Sequence, residues 1–342
     1  MPRSLLKCLI EKHYCASAAM GTLLFLSPEC GVKDSAAMIQ ERFEGCLLGL
    51  ALGDAMGAPY EGGYLERGLW GLIGRTASGA RRWTDDTQMS LDIAESLIAL
   101  GVLDLDDLAH RFAASYRWSR GYGPGAARLL KRIAKGADWR EVNRSIYPGG
   151  SFGNGGAMRA PMIGLCYAQC PEQLVEAARL SASITHAHPL GIEGAVLLAS
   201  ATRLALGGAT ALEIFQGAAA HCNQEPFVQR LALAAGWLQS GQEPSAKEVA
   251  RSLGNGIEAS QSCVTALYIA LRFLPRPFAE MLAFIAHCRG DVDTIGAMAG
   301  AIWGAARGAS HLPAAELDQL EACSRLRAVA AALYQTTTVE NT

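Results

Sequence analysis

The sequence predicts an all-α protein, and three observations carry that reading. Apolar residues recur at helical spacing from Ile39 onward, β-branched alternating runs bounded by turn signals are hard to find, and glycines repeat at every fourth position in two stretches. Half of the 342 residues are hydrophobic and only 18% are charged, which supplies one large buried core and gives no compositional case for general disorder. With 30 basic and 32 acidic residues the formal charge is -2, so there is no global electrostatic footprint for nucleic acid or an anionic membrane. A phosphate-bearing ligand has to be held locally.

Along the chain, residues 1–38 read as an extension of unknown role. Met1–Lys7 and the apolar stretch Ala16–Leu26 faintly imitate a leader, but Glu11, Lys12 and His13 interrupt them. No stretch reaches the ~20 uninterrupted apolar residues needed to span a bilayer. Residues 39–336 read as one domain without a linker, followed by a short tail, 337–342. Helices are expected at Gln40–Met56, Gln88–Leu100, Leu105–Ser119, Ala126–Lys135, Pro171–Ile184, Ile192–Leu206, Ala211–His221 and Pro226–Gln239, then at Ala246–Ser252, Glu258–Phe273, Pro277–Ala286, Thr294–Ala306 and Ala314–Tyr334. The ten cysteines show no paired CxxC spacing and several sit in apolar runs, so they read as reduced thiols in a cytoplasmic protein.

Glycine is over-represented, at 37 residues against a usual ~7%. Gly45, Gly49, Gly53 and Gly57 form one stripe along a helix, and Gly296, Gly300 and Gly304 form another. Each helical glycine costs ~1 kcal/mol relative to alanine. Close helix packing explains the stripes, and so does crowding two helices around a shared site; the two readings are compatible.

Two acidic clusters carry the chemistry: Thr84-Asp85-Asp86 before one apolar-periodic helix, and Asp291-Val292-Asp293-Thr294 before another. A lone Asp at a helix start is ordinarily a cap. Four carboxylates with two threonine hydroxyls exceed what capping needs, and crowding them without cations is costly. Their oxygen-only donor set selects Mg²⁺, Mn²⁺ or Ca²⁺ over zinc. The glycine-rich segment Gly149–Gly156 offers backbone N–H groups for phosphate, with Arg159 as a further phosphate contact, or is simply a loop. Tyr122, in the turn Arg120–Gly125, and Phe152 could each stack on a base or ribose, or belong to the core. His186 and His188 lack further partners at zinc spacing; His186 either hydrogen-bonds a polar substrate or is structural.

Together these segments resemble the ADP-ribosylglycohydrolase family. The resemblance rests on GCLLGLALGDAMGAPYE from Gly45, WTDDTQMS from Trp83, RGYGPG from Arg120, SFGNGGAMRAP from Ser151, THAHPLG from Thr185 and GDVDTIGAMAGAIWGA from Gly290. It implies a compact single-domain fold of orthogonally packed helices and a binuclear Mg²⁺ centre in which Mn²⁺ can substitute. Thr84, Asp85, Asp86 and Asp293 would hold one ion; Asp291, Asp293 and Thr294 would hold the other, with Glu61 near the second as a mobile ligand or base. Glu61, Asp86 and Asp293 are the implied catalytic residues. Gly121, Tyr122, Gly123, Gly150, Ser151, Phe152, Gly153, Asn154 and His186 would bind the ribose and diphosphate. The implied activity is hydrolysis of the bond between ADP-ribose and an acceptor: a protein side chain such as arginine or serine, a nucleic acid or a small molecule. A non-catalytic ADP-ribose-binding or structural protein, and a metal-dependent phosphohydrolase yielding AMP, are the alternatives.

Overall fold

The two glycine stripes lie against each other. In the computed structural model, which describes residues 36–339, helix Ala36–Gly57 runs antiparallel to helix Val292–Arg307. A Cβ on Gly45, Gly49 or Gly53 would overlap the carbonyl oxygen of Gly304, Gly300 or Gly296 in turn, and one on Gly57 would lie 2.5 Å from Asp293 Cα. The glycines therefore give up helix propensity so that two backbones can touch along four turns, gaining dispersion contact. The consequence is positional: the end of the first helix, which leads into Pro59, Tyr60 and Glu61, meets the start of the second at Asp293.

Helices Pro189–Leu206 and Ala259–Arg272 pack on Val292–Arg307 and on each other, completing the centre of the core. Pro189–Leu206 is long and apolar enough to cross a membrane by composition, yet 72% of it is buried inside the bundle. Trp303 anchors the middle, with Phe278 edge-on at 5.2 Å and its indole N–H donating 3.0 Å to Phe273 O. Among the described residues there are 17 α-helices and only isolated β-bridges, so the all-α expectation holds.

Differences from the expected elements have local causes. The helix expected over Leu105–Ser119 ends at Ser115, and Trp118–Arg120 forms a separate 3₁₀ turn closed by Gly121 at φ +85°. The single helix expected over Ala314–Tyr334 is two, Ala314–Leu317 and Cys323–Val339, because the chain between them pairs with Arg81 and turns at Ala322, φ +53°. Helices Tyr64–Ile73, Trp139–Ile146 and Pro161–Cys166 escaped the periodicity reading. The first carries Gly68 and Gly71, and the other two span at most eight residues. The expected extension lies outside the described residues up to position 35.

Candidate active site

The turn at Thr84–Asp86 is held from three sides. Thr84 caps helix Asp85–Leu100, its hydroxyl accepting from Asp86 N at 3.3 Å. Asp54, fully buried on the glycine-striped helix, accepts from Thr84 N at 2.9 Å, Thr87 N at 3.1 Å and the Thr87 hydroxyl at 2.5 Å. Arg120 donates to Trp83 O at 2.6 Å, forms a bidentate ion pair with Glu321 and lies 3.6 Å over the Trp83 ring. Capping and helix-dipole compensation are thus supplied by Thr84 and Asp54, which leaves Asp85 and Asp86 free of that duty.

The second turn is built differently. Asp291 occupies the N-cap position of helix Val292–Arg307, but its side chain accepts no capping hydrogen bond. Its N–H donates to Asn255 O at 2.8 Å, while its carboxylate takes a short hydrogen bond from the Asn154 amide. Thr294 N donates 2.9 Å to Asp293 Oδ1.

These two distant stretches meet. The Thr294 hydroxyl lies 3.5 Å from Asp86 Oδ2, which also accepts from the Thr84 hydroxyl at 2.9 Å. Ligand oxygens of Glu61, Asp291 and Asp293 lie within 4.8 Å of one another, a grouping that could hold a metal ion. Burial, and then mutual repulsion, push the carboxyls of Asp85, Asp86 and Asp293 well above their usual range; burial raises Asp291 as well. Asp86 Oδ1 is buried and has no hydrogen-bond partner. An orphaned buried carboxylate oxygen beside three more acids is what a hard cation would satisfy, and the donor set contains no His or Cys.

Beside the cluster opens a cavity of about 540 Å³ lined by Tyr60, Glu61, Gly62, Arg67, Gly256, Ile257, Arg289, Gly290 and Asp291. The glycine loop borders the cavity, Asn154 N donating 2.9 Å to Ile257 O and the Asn154 amide bonding Asp291. Gly150, at φ +79°, is pressed on the His188 backbone, and a Cβ on Gly155 would come to 2.5 Å of the His186 ring. Gly153 faces His186 Nε2, and the Ser151 hydroxyl accepts from Gly153 N at 3.3 Å. His186 is bonded through Nδ1 to the Thr185 hydroxyl at 2.7 Å, and desolvation with the nearby Arg159 charge pushes its pKa down to about 3. It is a neutral imidazole at ordinary pH. Phe152 is 51% exposed, with His188 edge-on at 5.9 Å. Gly121 and Gly123 are exposed on the turn beside Thr84 and Asp85.

Three sequence expectations change on contact with these surroundings. Arg159 is not a phosphate contact: it is fully buried, donating to Gly155 O, to Ser181 O at 3.1 Å and to the Thr185 hydroxyl at 2.9 Å. Tyr122 is buried against Tyr116, ring centroids 4.9 Å apart, so of the two candidate stacking rings only Phe152 presents a free face. Asn154 is buried and spends its amide on Asp291 and the Ser262 hydroxyl at 2.9 Å, supporting an acid rather than facing outward. Residues that sequence reasoning missed are Asp54, Asn255 and the Arg120–Glu321 pair. Only Asp54 left a signal, as a lone acid inside an otherwise apolar, glycine-striped helix.

Fold and site together define an all-helical protein with a carboxylate centre suited to hard divalent cations. The ADP-ribosylglycohydrolase family description matches residues 35–342. The chain is 35% identical to ADP-ribosylhydrolase ARH3 of Mus musculus, covering 88% of this chain and 93% of that one. It is 36% identical to ADP-ribosylhydrolase ARH3 of Homo sapiens, covering 81% and 88%. A solved structure described as an ADP-ribosylglycohydrolase-related protein complex superposes with a TM-score of 0.59 at 28% identity, covering 88% of this chain and 99% of that chain. The chain belongs to the ADP-ribosylglycohydrolase family.

Proposed function

We propose that this protein is a magnesium-dependent hydrolase that cleaves the glycosidic bond between ADP-ribose and an acceptor, releasing ADP-ribose. The observation that carries this reading is the convergence of Glu61, Asp291 and Asp293 beside Asp86, whose buried Oδ1 has no protein partner. The relatives named ADP-ribosylhydrolase support the substrate.

In this reading Thr84, Asp85, Asp86 and Asp293 would hold one Mg²⁺, and Asp291, Asp293, Thr294 and Glu61 would hold the second. Bound there, the ions would supply charge compensation for the acids and Lewis acidity toward ribose hydroxyls and water. The protein's own groups do the rest. Backbone N–H groups of the Gly150–Gly153 loop cradle the diphosphate, and exposed Phe152 offers a ring face to the adenine. Neutral His186 hydrogen-bonds without adding charge. Gly121 and Gly123 let the chain approach the ribose closely. Glu61 lines the cavity and moves the proton between water and the departing acceptor.

Presence of every required acid argues against a purely binding role. The test is incubation with ADP-ribosylated arginine, serine peptide and DNA, and with O-acetyl-ADP-ribose, each with and without Mg²⁺. Free ADP-ribose is the expected product. AMP would establish phosphohydrolysis instead, and no product from any substrate would leave a binding protein.

A further inference from the structure

Helix Pro189–Leu206 keeps different company at its two ends. Its N-terminal end meets the glycine loop, where Gly150 is pressed on the His188 backbone. Toward its other end, helices Pro171–Ser183 and Ala211–Ala219 pack on it, and a second cavity of about 110 Å³ lies between the three. None of the residues lining it belongs to the acid centre, the glycine loops or the larger cavity. Ser200, the first residue of that helix to reach it, lies roughly 16 Å along the axis from Pro189. A water occupies about 10–15 Å³ of such space, so there is room for a molecule of about six heavy atoms.

The walls are largely apolar. Leu174, Val175 and Leu204 supply hydrocarbon from two helices. Gly217 opens the side of the third: a Cβ there would meet the Leu204 side chain at 2.6 Å, and its nearest neighbours are atoms of that side chain rather than a facing backbone. It does not serve backbone contact as the stripe glycines do. Ser200 is 4% exposed, and its shielded hydroxyl has no hydrogen-bond partner. Thr202, on the same helix, shows the ordinary solution, donating 2.8 Å to Leu198 O. A buried hydroxyl left unpaired is costly, and a ligand acceptor would satisfy it.

The surrounding charge is positive. Arg203 lines the cavity; its Nε donates 3.1 Å to Ala168 O, and among the described residues it forms no ion pair. His221 stands at the exposed rim, where desolvation, and then the Arg179 and Arg203 charges, push its pKa below the usual value. Glu193, the acid that feels the Arg179 charge, is already engaged, its carboxylate accepting from Asn223 N and, at 3.0 Å, from Gln224 N. A guanidinium without a counter-ion, an unpaired hydroxyl and a hydrocarbon wall in one small cavity match a carboxylate carried on a short alkyl chain.

We propose that the cleft between these three helices is a binding site for a small aliphatic monocarboxylate, with its oxygens on Arg203 and Ser200 and its chain against Leu174, Val175 and Leu204. The site rests on nothing in the hydrolase reading.

Butyrate is the probe, titrated into the full chain with Mg²⁺ present and followed by calorimetry and ligand-observed NMR. Saturable binding with a Kd on the order of 1 mM is expected. Butan-1-ol, butylamine and inorganic phosphate lack the charge, reverse it or lack the chain, and should displace butyrate at least about tenfold less well. Arg203→Gln and His221→Glu should each weaken butyrate about tenfold. Ser200→Ala should weaken it about threefold while the ligand-free protein melts no lower than wild type, because no protein partner is stranded. His221→Glu alters only a rim position, so it reads the site even where Arg203→Gln fails to fold. No saturable binding by wild type, or binding that the variants leave unchanged, would overturn the site. Displacement by butan-1-ol or phosphate as effective as by butyrate itself would overturn the assignment of an aliphatic carboxylate.

Discussion

The two helix starts that build the acid centre are held in opposite ways. At Thr84–Asp86 the backbone is braced by groups that never reach the cavity: a capping threonine, a buried aspartate and a stacked arginine ion pair. At Asp291–Thr294 there is no side-chain cap, and the acid leans on an amide from the glycine loop while its other face opens to the cavity. Asp54 and Asp86 show the same contrast between single residues. Asp54 receives donors on both oxygens, whereas Asp86 keeps one oxygen buried and unpaired. A buried carboxylate with a full set of donors is scaffold, and one left short is a ligand in waiting.

That division predicts what each change should do. The largest effect is expected at Asp293, which faces both acid groups: Asp293→Asn should lower kcat/KM by about a thousandfold, ~4 kcal/mol of transition-state stabilisation, with a melting temperature near wild type. EDTA should abolish activity in wild type and added Mg²⁺ should restore it. On the braced side, Asp54→Ala should act mainly through stability. It strands the buried N–H groups of Thr84 and Thr87, at about 1–3 kcal/mol for each unsatisfied donor, which a urea titration would read. If Asp54→Ala unfolded no more easily than wild type, the scaffold assignment would fail.

Gly53→Ala should be destabilising by about 1–3 kcal/mol despite alanine's better helix propensity, because the new methyl meets Gly296 O. The same substitution at exposed Gly236, which has nothing within 4 Å, should be neutral or stabilising. The pH dependence separates scaffold from ligands once more. Burial raises Asp92 from 3.8 to about 7, so the folded state keeps a proton that the unfolded chain has released, and stability falls as pH rises between those values. Asp92→Asn should flatten that part of the profile. Part of the remaining slope comes from scaffold Asp54, which burial raises to about 6, and the rest from the raised acids Asp85, Asp86 and Asp293; saturating Mg²⁺ should remove that second part by displacing their protons. The smallest effect is expected at Phe152→Ala, a KM increase of about tenfold from lost stacking, with kcat little changed.

What could be read from the chain is what repeats locally or clusters locally. The glycine stripes at positions 45–57 and 296–304 and the paired acids at 85–86 and 291–293 announce themselves through spacing, and the bundle places them face to face. The supports were illegible because they act across long separations. Nothing near Asp54 marks it as the acceptor for Thr84 and Thr87, and nothing near Arg120 points to Glu321, 201 residues away. Arg159 misled for a related reason. An arginine after a glycine loop invites a phosphate, but the protein uses its donors to fix Gly155, Ser181 and Thr185 and so holds the loop on His186. The broken helix at Ala314–Tyr334 kept its apolar period through the turn at Ala322, which only the pairing of Arg81 with Leu320 reveals.

The central claim is that acids from both helix starts share a pair of divalent ions. Titration of the metal-free protein with Mn²⁺, followed by electron paramagnetic resonance, addresses it directly. Two bound ions per chain with a spin-coupled spectrum are expected, the coupling disappearing in Asp293→Ala. A single isolated Mn²⁺ signal in wild type, or coupling that survives in Asp293→Ala, would contradict it.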